Sequence, residues 1–146
     1  MRSRKALIAL AVCALLATSA PAAPPANKTQ SLRDCINTAP GPGGIARCEK
    51  LEQTRLQQRI EDLARAIRTR LDNRQRLAFD RSQQAWQTFF DSELAMLDIS
   101  GAARRDGLGK SLKIGAVTAL YESREQQLRA HLHNLSQGAA SERPSE

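Results

Sequence analysis

Four groups of side chains in this sequence could do chemistry, each of a different kind. Cys35 and Cys48 could close a disulfide or take part in redox or metal chemistry. Gly107-Leu-Gly-Lys-Ser111 has the ending of a phosphate-binding loop, His131-Leu-His133 offers two imidazoles, and Arg104-Arg105 offers two guanidinium groups. Spacing removes most of this. A phosphate-binding loop needs a glycine five residues before Gly109, where Arg104 stands, and a preceding strand, where the pattern is helical. Two positions apart on a helix, His131 and His133 point to different sides, which suits cations near a helix C-terminus and not a shared metal. No Ser/His/Asp set and no carboxylate pair with a site around it is recognisable. The sequence therefore reads as non-catalytic, without cofactor or metal.

The elements that must position these groups centre on Gln83–Glu93, which holds the single Trp and two of the three Phe. At about 100° per residue, Phe79, Trp86, Phe90, Leu94 and Leu97 fall on one helical face, and Gln83 and Glu93 fall there too. A buried carboxylate must be paired or neutralised. Arg124 lies on the core face of the following long helix, so a Glu93–Arg124 ion pair is expected, with Gln83, Trp86, Glu93 and Arg124 in structural roles. The other helices are expected to cover the Trp86 helix.

Met1 to about Ala22 reads as a cleaved signal peptide: a basic start, an apolar run from Ala6 to Ala17, and small residues at Ala20-Pro-Ala22. The run is too short to span a bilayer. Val12 stands where a lipid-anchoring motif needs a small residue, so Cys13 is expected to leave with the leader. The product would be exported, to a bacterial periplasm or beyond. Without Arg2, Arg4 and Lys5 the 22 basic residues become 19 against 15 acidic ones, a charge of +4. That is too mild for a nucleic-acid binder. In an oxidising compartment the isolated Cys35 and Cys48 are most simply a disulfide, tying a short helix to the next across Ala39-Pro-Gly-Pro-Gly-Gly44.

The mature chain divides into a flexible lead-in (23–30), one helical domain (31–136) and a disordered tail (137–146). Ser31-Leu-Arg-Asp34 fits the start of a short helix. Ile45–Leu71 follows, its apolar stripe surrounded by mixed charge that reads as a solvated face laced with ion pairs. Asp72-Asn73 suits a turn and N-cap before a helix from about Arg74 to Leu97. A helix from about Lys110 to Leu135 carries Ile114, Val117, Tyr121, Leu128, Leu132 and Leu135 with Arg124 on one face. No segment alternates like a strand. The expected fold is all-α, an antiparallel three-helix bundle with the short helix tied on. The outer faces show mixed charge and no apolar patch. The Ser100–Gly109 connection is longer than a bundle needs, and Arg104 and Arg105 at its middle are the candidate binding residues.

On Asp34-Cys35, Cys48, Gln83-x-Ala-Trp86, Asp91 with Glu93, and Arg124-x-x-x-Leu128, the chain resembles the LprI-like lysozyme-inhibitor N-terminal domain family, over about Leu32 to Leu135. Phe90 stands where that family usually has Arg, and Leu94 replaces a common Cys. The resemblance implies a small exported helical protein that binds lysozyme and occludes its cleft. The alternative is an envelope interaction or scaffold protein whose basic surface meets anionic cell-wall or lipopolysaccharide groups. No transmembrane segment and no nucleic-acid partner are expected.

Overall fold

The computed structural model describes residues 30–106 and 108–141, with side chains as far as Gly138. The leader, most of the lead-in and the last five residues lie outside the described residues. Four helices follow one another: α1 (Gln30–Thr38), α2 (Gly41–Arg68), α3 (Asn73–Ala102) and α4 (Gly109–Ser141). The fold is an all-α helical bundle, with no strand among the described residues.

The α1–α2 turn is built for tightness. Gly41 has φ +65°, in the left-handed region that glycine enters without steric cost. Pro42 occupies the first turn of α2, where its missing N–H is no loss. The helix thus starts before the expected Ile45, and Cys48 is carried to Cys35. Their disulfide is present, with a Cα–Cα distance of 5.8 Å, and Leu32 of α1 is buried.

Helix α3 begins with a full capping box: Asp72 accepts from the Gln75 amide, and the Gln75 side chain accepts from the Asp72 amide. It passes the expected stop near Leu97 because Asp98-Ile-Ser contains no breaker. Gly101 serves close packing instead. A Cβ on Gly109 would lie 2.3 Å from the Gly101 carbonyl oxygen, so α3 and α4 approach as only glycine allows. Helix α4 likewise continues to Ser141, beyond the expected Leu135, because Gln137, Ala139 and Ala140 favour helix.

The hub is α4, not the Trp86 helix. Both α2 and α3 pack along it, while α2 and α3 touch each other little. Near their connection Arg68 pairs with Asp80 at 2.8 Å, and Arg76 Nε donates to the Arg68 carbonyl. The arrangement is therefore two helices on a third, short of three mutually packed ones. The apolar core joins Ile60 and Ile67 to Leu128, with Leu63, Leu71, Phe79, Tyr121, Leu132 and Leu135 around them. Of α3 only Phe90 is buried.

Candidate functional site

Three of the four structural residues expected from sequence meet across α3 and α4. Arg124 is 5% exposed. One of its terminal nitrogens donates to Gln83 Oε1 and the other to Gln127 Oε1. Its guanidinium lies 5.3 Å from the centre of the Trp86 ring, in reach of a cation–π contact. Trp86 stacks on Phe90 at 5.2 Å, and Tyr121 closes the group at 4.8 Å from Phe90 and 6.3 Å from Trp86. Gln57 of α2 donates to the Tyr121 hydroxyl at 2.6 Å, so the cluster locks all three long helices. Burial lowers the Arg124 pKa from its ordinary value.

Glu93 is not part of it, and among the described residues there is no Glu93–Arg124 ion pair. The cause is register. Gly101 lies against Gly109, Asp98 pairs with Lys113, and Phe90 meets Tyr121. This antiparallel alignment sets Glu93 opposite Val117, roughly 10 Å along the axis from Arg124. Glu93 stays half-buried.

The α2–α4 interface holds a feature that sequence reasoning took for a solvated face. Glu49, Glu52, Glu122 and Glu125 are all buried against the neighbouring helix. Arg59 bridges two of them, Nη2 to Glu52 Oε1 at 2.9 Å and Nε to Glu125 Oε1 at 3.1 Å. Arg55 stands 3.7 Å from Glu52, and Arg129 2.6 Å from Glu125, giving a ladder of alternating charge. Burial works against the Arg59 charge, but the hydrogen bonds and charges of Glu52 and Glu125 outweigh it, and its pKa is raised. Gln53 adds hydrogen bonds to the Ile114 carbonyl and the Thr118 hydroxyl. The signal that could have found this interface is the helical recurrence of Glu49, Glu52, Leu56, Arg59 and Ile60 on one side of α2. Glu52 and Glu125 are held in ion pairs, and no cluster of three metal-ligating side chains exists among the described residues.

The connecting loop spans only Ala103–Leu108, shorter than the expected Ser100–Gly109. Arg104 is bound within the loop to Asp106, through Nε at 3.0 Å and a second contact from its terminal nitrogen. Asp106 also accepts from the Leu108 amide. The Arg104 guanidinium first, and then this amide, hold the Asp106 carboxyl below its ordinary value. Arg105 is exposed and makes no ion pair among the described residues. The two His diverge as expected: His131 lines a groove of about 640 Å³ with Ile67, Leu71, Phe79 and Leu135, and His133 is exposed outside that lining.

Fold and contacts together define a helical bundle with polar-laced interfaces and an arginine pair in the α3–α4 loop. Comparison with protein-family models, curated proteins and solved structures yields no match. Among the described residues no helix is long and apolar enough to cross a membrane.

Proposed function

We propose that this chain is an exported protein-binding module that inhibits lysozyme by setting the α3–α4 loop into its cleft. The observation that carries the reading is the loop itself. Its two ends are fixed by the Gly101–Gly109 contact. Arg104 is spent on Asp106, which stiffens the backbone, and Arg105 is left exposed. A lysozyme cleft holds two catalytic carboxylates, and a guanidinium can grip such a group with two parallel hydrogen bonds. Arg105 is thus the recognition residue and Arg104 its support. In this reading the long helices act as a three-helix stalk behind the loop, and the Gln83–Trp86–Arg124 cluster keeps α3 seated so that the loop is presented in one geometry.

Charge on α2 speaks against the scaffold alternative. Arg55, Arg59, Arg65 and Arg68 are each engaged with a carboxylate of the same chain, which leaves less of the basic surface for anionic polymers.

The test is a cell-wall lysis assay with lysozyme and the purified mature chain. The wild type is expected to slow lysis, and Arg105→Ala to lose about tenfold or more in potency with an unchanged melting temperature. Undiminished lysis in the presence of folded wild type overturns the proposal.

A further inference from the structure

The outward face of α3 carries a pattern that its packing on α4 does not use. Ala78, Ser82, Ala85, Phe89, Ser92, Met96, Ile99 and Ala103 follow one another at alternating spacings of four and three. All are exposed, Phe89 by 48%, Met96 by 56% and Ile99 by 64%, and none is charged. Single exposed apolar residues are ordinary. An uncharged heptad stripe over most of a helix is the seam on which a second helix packs. We infer that this face is the contact surface of a two-fold dimer, α3 against α3 of a second copy in antiparallel alignment.

The stripe fits itself. With Phe89 opposite Ser92 of the second copy, Ala85 meets Met96 and Ser82 meets Ile99, while Ala78 meets Ala103 at the ends. Each inner layer joins one small and one large side chain, and every contact is returned by symmetry, as a two-fold interface demands. Ser92 already donates to the Thr88 carbonyl at 2.9 Å, so covering it strands no hydroxyl.

Charge points to the same occupant. Two copies of a net basic chain repel over much of their surface. The stripe itself brings no like charges together. Of its outward flank, Arg81, Thr88, Ala95 and Ala102, only Arg81 is charged, and it falls opposite the uncharged Ser100 of the second copy in this register. The stripe is about 37 Å long, and covering it on both copies removes roughly 1,000 Å² from water, the lower bound for a specific interface. The dimer is therefore concentration-dependent.

Sedimentation equilibrium of the mature chain, from low to high micromolar concentration, tests this. The mass should rise from that of one chain to that of two. Ala85→Glu and Met96→Lys, each at an exposed position, should keep the helical circular dichroism and weaken association by about tenfold or more. The double variant should regain the dimer, because each Glu then faces a Lys of the other copy. A wild type that stays monomeric overturns the inference, whatever else the stripe binds. So does a dimer indifferent to both single substitutions. Monomeric double variant beside dimeric wild type overturns the antiparallel register.

Discussion

Arg124 shows how this protein keeps a charge inside without a counter-charge. Taking a guanidinium out of water is costly, and the lowered pKa of Arg124 reflects that cost. Against it stand two charge-assisted hydrogen bonds, each worth roughly 1.5–3 kcal/mol, and a desolvated cation–π contact worth about 2 kcal/mol. Arg124→Ala removes all three and leaves the Gln83 oxygen without its donor. It is expected to lower stability by about 2–4 kcal/mol. Glu93→Ala, at a half-buried position outside the cluster, should cost about 0.5 kcal/mol or less. Urea unfolding of both variants checks this, and equal losses would contradict the assignment. Asp106 offers a second reading at this scale. Its folded pKa is depressed, so the loop contact is present above the ordinary value of 3.8 and is lost as pH falls through the lower folded value. A carboxyl titration followed by NMR should find its midpoint below 3.8. A midpoint at or above that value would remove Arg104–Asp106 from the loop's support.

At the scale of elements, two glycines in α4 should respond with opposite sign. Gly109→Ala drives a methyl into the Gly101 carbonyl and should cost about 1–3 kcal/mol as overpacking. Gly138→Ala meets nothing within 4 Å and should gain about 0.5–1 kcal/mol of helix propensity. Thermal melts of the two variants decide it, and a shift in the same direction for both would contradict the packing described. The long helices were legible because their signals are local, the Asp72 cap and the apolar recurrence on each segment, whereas Gly41-Pro-Gly-Gly44, read as part of a connection, forms the first turn of α2. The Cys35–Cys48 bond was legible for a similar reason, since one isolated pair leaves one connectivity. The Gln83–Trp86–Arg124 meeting could be read from helical faces, but the partner of Arg124 could not. Faces fix which side a residue occupies, whereas register fixes its height, and register here depends on the Gly101–Gly109 approach.

The whole molecule is organised by contacts that sequence periodicity cannot reveal. Glu49 and Glu52 look like surface charges on α2, yet they are buried, because Arg59 and residues some sixty positions later supply their surroundings. That polar interface makes α4 the hub and leaves α3 held on one side only. The uncharged stripe along α3 went unread for the converse reason. Its small residues, Ala78, Ser82, Ala85 and Ser92, dilute the apolar signal that Phe89, Met96 and Ile99 carry. The two surfaces we propose are thus distinct, the α3 stripe for a second copy and the α3–α4 loop for an acidic cleft. The loop is the central claim. Calorimetric titration of the mature chain into lysozyme, with and without a chito-oligosaccharide that fills the cleft, tests it most directly. Binding that the oligosaccharide abolishes, and that Arg105→Ala weakens by about tenfold or more, is the predicted result. No binding, or binding indifferent to the filled cleft, would contradict it.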